Sequence, residues 1–156
     1  MVLERIVSYK RRMVMQRQES GASREPIEPS TRSLEAALAG PKASFILECK
    51  AASPSRGRLV DAYDPVELAG TYEPVADAIS VLADREFFGG SPEHVHAVSQ
   101  SVARPVLWKD VIVDASQVRR ARRYGADAVL LMLSVLDDAA FGRCFQEATR
   151  LGMDVV

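Results

Sequence analysis

Short apolar runs alternate along most of this chain with longer segments in which apolar residues recur at helical spacing. The apolar runs predict strands at residues 44–50, 78–84, 105–112, 127–134 and 153–156. The segments between them predict helices at residues 65–72, 92–102, 115–124 and 138–151. Asp114 is a suitable N-cap for the third helix, and Gly125 and Gly152 are suited to end the third and fourth. Strands that alternate with helices predict a parallel sheet with right-handed crossovers.

A different pattern precedes the first of these strands. Residues 2–18 combine spaced apolar side chains with Lys and Arg, which predicts an amphipathic helix. Its apolar residues are Leu3, Ile6, Val7 and Val14. A second, short helix is expected to begin at Ser30 or Thr31 and to run through Ala39. We therefore expect an N-terminal helical extension, residues 1–43, before a strand-and-helix region, residues 44–156.

Composition narrows the class of protein. The formal net charge of -1 argues against a nucleic-acid partner, and no apolar stretch is long enough to span a membrane. The two cysteines are too few for a disulfide framework, so we expect a cytoplasmic protein. His94 and His96 are two residues apart on a predicted helix, which is the wrong spacing for a shared metal ion, and no metal site is expected.

Charged residues lie at the C-terminal ends of three predicted strands. They are Glu48, Lys50, Asp84, Lys109 and Asp110. Side chains alternate across a strand, so Glu48 and Lys50 lie on one face, roughly 7 Å apart. Unpaired charge facing a core is costly, which suggests a site, although a structural ion pair explains Glu48 and Lys50 equally well without further information.

Two folds fit the alternation of strands and helices, an open doubly wound sheet and a closed barrel. The first strand is not followed by a G-x-G-x-x-G turn, so a dinucleotide fold has no support. A (β/α)8 TIM barrel assembles its active site from several strand ends, as the charges here suggest. Such a barrel takes roughly 250 residues, so this chain would supply the first four β/α units and the start of strand 5, and we expect further strands after Val156.

Four ordered motifs carry a resemblance to a known family. They are E-C-K-A-A-S-P-S-R-G from Glu48, A-I-S-V-L-A-D-x-x-F-F-G-G-S from Ala78, K-D-x-I from Lys109 and A-D-A-V-L-L-M-L-S from Ala126. Together they resemble indole-3-glycerol phosphate synthase, most closely the type fused to phosphoribosylanthranilate isomerase. The resemblance implies a TIM-barrel lyase of tryptophan biosynthesis without a cofactor. Its reaction is the ring closure of 1-(2-carboxyphenylamino)-1-deoxyribulose 5-phosphate with decarboxylation and dehydration.

The resemblance also implies roles for individual residues. Lys109 would be the general acid, and Lys50 would bind the substrate carboxylate or exchange protons with Lys109. Glu48 would orient both lysines. Ser53 would line a loop over the substrate, and Phe88 would contact its aromatic ring. One departure is Val111, where the family usually has an aromatic residue, and the family's remaining functional residues would lie beyond Val156.

Other interpretations remain open at this point. The chain could be an incomplete half-barrel that acts only by binding or assembly, or another phosphate-handling barrel enzyme. Expected partners are a phosphorylated small molecule and either a C-terminal isomerase domain or the missing half-barrel. Asp110 is expected to be structural, and Trp108 to face the helices, because its neighbour Lys109 faces the other side. A run of arginines, residues 119–123, is expected to form a solvated helix face.

Overall fold

The computed structural model describes residues 2–19, 26–60 and 62–156. The helices are α1 (Val2–Glu19), α2 (Leu34–Leu38), α3 (Pro65–Tyr72), α4 (Arg85–Phe88), α5 (Pro92–Ser101), α6 (Ala115–Arg123) and α7 (Asp138–Arg150). The strands are β1 (Ile46–Cys49), β2 (Ala52–Ser53), β3 (Gly57–Arg58), β4 (Ala78–Leu82), β5 (Val106–Lys109), β6 (Ala128–Val129) and β7 (Asp154–Val155). Part of the predicted N-terminal extension, residues 20–25, lies outside the described residues.

Five of these strands form one parallel sheet in the order β1-β4-β5-β6-β7. Each neighbouring pair is parallel, with Ile46 opposite Ala78 at the start of the sheet and Ala128 opposite Asp154 at its far side. Neighbours in the sheet are also neighbours in the chain, apart from the small β2–β3 pair. The order does not reverse, whereas the order of a doubly wound sheet does. The predicted α/β class with a parallel sheet is therefore confirmed.

The observed strands are shorter than predicted. The strand predicted at 127–134 is reduced to β6, because Val129 is paired with Trp108 and β5 ends one residue later. Met132 then begins a turn, in which its carbonyl oxygen accepts bonds from Val135 and Leu136. The strand predicted at 78–84 ends at Leu82, and Asp84 instead caps α4. Lys50 lies just beyond the end of β1, although it was predicted inside a strand.

Helix ends were predicted with mixed success. Asp114 caps α6 through a capping box, and Gly125 and Gly152 adopt φ values of 88° and 62°, as expected of residues that end helices. The predicted start of α2 at Ser30 or Thr31 is wrong. Its N-cap is Ser33, whose hydroxyl accepts from the Ala36 N–H. The Ser30 hydroxyl is used elsewhere, since it donates to Asp127 over 2.7 Å.

The two faces of the sheet bury different side chains. The outer face packs under α3, α5, α6 and α7, and Trp108 lies in that layer, as predicted. The buried outer-face residues include Cys49, Ile79, Val81, Val106, Trp108 and Val129. On the inner face, Leu34 of α2 covers Ala78, Leu107 and Ala128, which lie at the N-terminal ends of their strands. The C-terminal half of the inner face carries Glu48, Ser80 and Lys109, with the buried Leu82 opposite Lys109.

Helix α1 lies at the C-terminal ends of β4 and β5, where Lys10 contacts Asp84 and Asp110. Ile6 and Val14 are buried, and Lys10 between them is also only 8% exposed. These three residues are spaced four apart, so they share one face of the helix. Within the described residues, no helix has the length and apolar character needed to cross a membrane.

Candidate active site

Three charged side chains meet on the inner face at the C-terminal ends of β1 and β5. Glu48 lies in β1, Lys50 follows it, and Lys109 is the last residue of β5. The Lys50 Nζ atom is 2.7 Å from Glu48 Oε1, and the Lys109 Nζ atom is 2.9 Å from Glu48 Oε2. One carboxylate therefore holds two ammonium groups. Strand alternation predicted that Glu48 and Lys50 share a face, and the resemblance added Lys109. In the structure both lysines contact Glu48.

The carboxylate is ionised in this arrangement. Burial alone would raise the pKa of Glu48, but hydrogen bonds from Lys50 and Lys109 outweigh it and hold the pKa below its usual value. The side chains are 26% exposed for Glu48, 34% for Lys50 and 36% for Lys109. The group is thus open enough for a small molecule to reach and sheltered enough for its charges to interact. It offers a carboxylate that is fixed by two proton donors.

Ser53 and Phe88 lie on two short segments that follow β1 and β4 in the chain and that pack against each other. Ser53 is in β2, which pairs with β3 in a short hairpin, and its hydroxyl accepts from the Arg56 N–H over 3.3 Å. Phe88 ends α4, and both side chains are half-buried. A Cβ at Gly89 would lie 3.5 Å from Ala52 Cβ, so the end of α4 packs against β2. Neither the hairpin nor α4 was predicted from the sequence.

A second charged cluster was missed by the sequence analysis. The Lys10 Nζ atom lies 2.6 Å from Asp84 and 2.7 Å from Asp110. Asp84 is 2% exposed and Asp110 is 8% exposed. Burial raises the pKa of Asp110 to about 6, the Lys10 charge opposes this shift, and the Asp84 charge adds to it. The available signal was the spacing of Lys10, four residues from both Ile6 and Val14, which places it on the buried face of α1.

The structure also shows the positions of Val111 and of the two histidines, His94 and His96. Val111 is 7% exposed, so its side chain is buried rather than presented as an open surface. His94 is half-buried and its ring makes an edge contact with Tyr63, while His96 is exposed. In the part of the chain that the structure describes, no group of three or more His, Cys, Asp or Glu is arranged to hold a metal ion.

The arginine run on α6 is only partly a solvated face. Arg122 lies 3.2 Å from Asp127 and also donates to the Glu28 and Ala126 carbonyl oxygens. Asp127 is 1% exposed and also binds Arg32 at 2.8 Å and the Val106 N–H. The expectation of a fully solvated face is wrong for Arg122, because a buried carboxylate at the start of β6 needs its charge.

One further polar group faces the same side of the sheet as Glu48. Ser80 in β4 is opposite Glu48 in the register and is 3% exposed, and its Oγ atom has no hydrogen-bond partner. A buried hydroxyl without a partner is uncommon in proteins. No sequence pattern indicated it, since a single Ser in a buried strand is usually a packing residue.

Comparison with known proteins agrees with the motifs. Residues 3–156 match the family described as indole-3-glycerol phosphate synthase. The chain is 46% identical over 155 residues to the Helicobacter pylori "Tryptophan biosynthesis protein TrpCF", and the match covers 99% of this chain and 34% of that protein. It is 49% identical over 113 residues to the Chlorobium luteolum "Indole-3-glycerol phosphate synthase", covering 72% of this chain and 43% of that protein.

A protein from Salmonella typhi, also named "Tryptophan biosynthesis protein TrpCF", is 46% identical over 158 residues, which cover 99% of this chain and 35% of that protein. The chain thus spans about a third of the length of these TrpCF relatives. The family match extends over nearly all of the described chain, including α1 and all five strands of the parallel sheet. This chain belongs to the indole-3-glycerol phosphate synthase family.

Proposed function

We propose that this chain forms the N-terminal part of an indole-3-glycerol phosphate synthase. It would carry the general acid of the active site, Lys109, together with Lys50 and Glu48. The single observation that supports this most is the contact of Lys50 and Lys109 with one Glu48 carboxylate. These residues lie in two of the four family-like motifs. The proposed fold is the first four β/α units of a TIM barrel plus the start of strand 5, residues 44–156, preceded by the extension at 1–43.

The proposed chemistry follows from the charges. Ring closure begins at the sugar carbonyl, and Lys109 donates a proton to that oxygen as general acid. The Lys50 ammonium group binds the carboxylate that is later lost as carbon dioxide. Glu48 holds both ammonium groups in place and offsets positive charge that develops on the substrate. Decarboxylation and dehydration complete the reaction, which makes the protein a carbon–carbon lyase.

Ser53 and Phe88 are proposed to bind the substrate from the loops above this group. The half-buried ring of Phe88 offers an apolar surface for the anthranilate ring. The Ser53 hydroxyl lies on the hairpin that packs against α4, and it can bond to a polar group of the substrate. Both residues would contribute to substrate affinity more than to the rate of the chemical step.

The proposal extends to partners and location. The TrpCF relatives are named for tryptophan biosynthesis, and we propose a phosphorylated substrate of that pathway for this chain. We further propose that the site is completed by the remaining barrel strands, and that a phosphoribosylanthranilate isomerase domain follows them. A cytoplasmic location suits this role, because the substrate is a charged metabolite.

A second candidate function, assembly without catalysis, has one observation in its favour. Large apolar side chains are exposed near both edges of the sheet, with exposed fractions of 56% for Phe45, 75% for Leu133 and 49% for Val156. Exposed apolar surface favours association with another chain. In this alternative, the 156-residue chain binds a partner and the charged group remains inactive.

The test is a chimera in which residues 1–156 replace the matching region of the Helicobacter pylori relative. We expect the chimera to form indole-3-glycerol phosphate, and Lys109→Met to reduce kcat by about two to four powers of ten. Lys42→Met is the matched control, because Lys42 is exposed and lies outside the site. A chimera that folds, with residues 1–156 packed against the rest of the relative, but that has no activity would instead support the assembly role.

A further inference from the structure

The buried Lys10–Asp84–Asp110 cluster connects three elements that are far apart in sequence. Lys10 comes from α1, Asp84 precedes α4, and Asp110 follows β5. Its ammonium group lies between the two carboxylates, 2.6 Å from Asp84 and 2.7 Å from Asp110. A single ammonium group therefore serves as the cationic partner of two buried carboxylates.

Each carboxylate also holds the backbone that follows it. Asp84 accepts from the Phe87 N–H over 2.6 Å, and its carbonyl oxygen accepts from the Gly90 N–H over 2.7 Å. These two bonds define the turn that contains α4. Asp110 accepts from the Val111 N–H over 2.7 Å. The cluster thus fixes the chain directly after two strands of the sheet.

Both fixed segments adjoin residues of the proposed site. Phe88 is the last residue of α4, whose first turn Asp84 caps. Lys109 is the residue immediately before Asp110. A shift of either carboxylate would therefore move Phe88 or Lys109. Displacements of about 1 Å in a catalytic group can cost about a hundredfold in rate.

Other charges surround the cluster without replacing Lys10. A cavity of about 310 Å³ lies beside it, between α1 and the helices of the outer layer. Further charged residues that line this cavity are Arg17, Arg85, Glu93 and Arg120. Arg85 lies 4.0 Å from Glu93, and the Arg120 guanidinium lies over the Tyr124 ring at 5.6 Å. Among the described residues, the ion pair of Asp84 and the ion pair of Asp110 are both with Lys10.

We propose that Lys10 is a positioning residue, which holds the segments carrying Phe88 and Lys109 in place through Asp84 and Asp110. The inference rests on the proposed function for its effect on turnover, but not for its effect on structure. Without Lys10, the two buried carboxylates have no shared cation, so they repel each other or one of them takes up a proton. In either case the ion pairs that hold α4 and the end of β5 to α1 are lost. If α4 moves, Phe88 is displaced and substrate binding weakens. If the end of β5 moves, Lys109 is displaced and the chemical step slows.

The first test needs no activity. Hydrogen exchange is measured on the 156-residue chain and on Lys10→Met, with Arg12→Met as the control, because Arg12 is exposed on the same helix. The β4 amides lie in the core and report global stability. We expect the Phe87, Gly90 and Val111 amides to exchange faster in Lys10→Met by about ten times or more beyond any change in the β4 amides. Rates that match those of the parent chain at all three amides would overturn the proposal, whether or not the protein is a synthase.

The second test uses the chimera described above. Lys10→Met is expected to raise KM and to lower kcat by about tenfold each, and Lys10→Arg to restore most of both, because a guanidinium can also bridge two carboxylates. Asp127→Asn, which breaks a buried cluster at the opposite end of the sheet, controls for general loss of stability. Equal kinetic losses in Asp127→Asn, or none in Lys10→Met, would refute positioning. An inactive parent chimera would instead refute the proposed function and leave the exchange result to decide on Lys10.

Discussion

Glu48→Gln is the substitution that tests the central ion pairs most directly. It keeps the shape of the side chain but removes the charge that two lysines share. The side-chain carbonyl of Gln can accept a bond from one of the lysines, and its amide nitrogen cannot accept from the other. The change therefore breaks one charged contact, weakens the second, and leaves Lys50 and Lys109 to repel each other.

The size of the effect follows from distance and exposure. Buried hydrogen bonds between charged groups contribute about 1.5–3 kcal/mol, whereas exposed ion pairs contribute about 1 kcal/mol or less. The contacts are short, 2.7 and 2.9 Å, but the three side chains are between 26% and 36% exposed. We discount each contact to about 1 kcal/mol for solvent screening. The expected loss is about 1–2 kcal/mol in the free energy of unfolding near neutral pH.

The pH dependence has a definite sign. Because the pKa of Glu48 is lowered in the folded protein, its stabilising contribution is present above the ordinary value of 4.5. The contribution is lost as pH falls through the folded-state pKa. The difference between parent and Glu48→Gln should therefore be largest near neutral pH and shrink toward about pH 3. The contribution of Asp110 is common to both proteins and cancels in the comparison.

Urea unfolding followed by Trp108 fluorescence measures this difference. Trp108 is the single Trp of the chain and is 2% exposed, so its emission reports on loss of the core. Glu28→Gln is the matched control, because the Glu28 side chain is exposed. A Glu48→Gln protein as stable as the parent near neutral pH would refute the reasoning. So would a loss of stability that stays constant down to about pH 3.

Three further predictions concern the fold. Asp127→Asn should lower the free energy of unfolding by about 3 kcal/mol in urea titrations, because Arg32 and Arg122 lose a buried partner; a loss below about 1 kcal/mol would contradict it. Gly90→Ala should destabilise by about 2 kcal/mol in the same assay, since its Cβ would overlap the Leu82 carbonyl oxygen, whereas Gly142→Ala, with open space around it, should not. Neither thiol should react with Ellman's reagent in the native protein at about pH 8. Burial and the Glu48 charge raise the pKa of Cys49 to about 12, and burial and the Asp114 charge raise that of Cys144 to about 11. Rapid labelling without urea would contradict this last prediction.

Local patterns predicted the helices better than the strands. The bounds of α3, Pro65–Tyr72, were predicted correctly, because Asp64 and Pro65 mark its start in the sequence. Strand lengths depend on a partner, and β6 is short because its partner β5 ends at Lys109, one residue after the Trp108–Val129 pair. An apolar run such as 127–134 does not contain that information. The start of α2 was misplaced for a similar reason, because the Ser30 hydroxyl bonds to Asp127, which is 97 residues away.

The same distinction separates the site residues that were predicted from those that were missed. Glu48 and Lys50 share a face through strand alternation alone, and Lys109 was added by its K-D-x-I motif. Lys10 and Asp110 are 100 residues apart, and neither position indicates the other. A lysine on the apolar face of α1 nevertheless has a cost when buried, and here two carboxylates offset it. A charge at an apolar helical position is therefore itself evidence of a distant partner, and the aspartates that follow strands are the natural candidates.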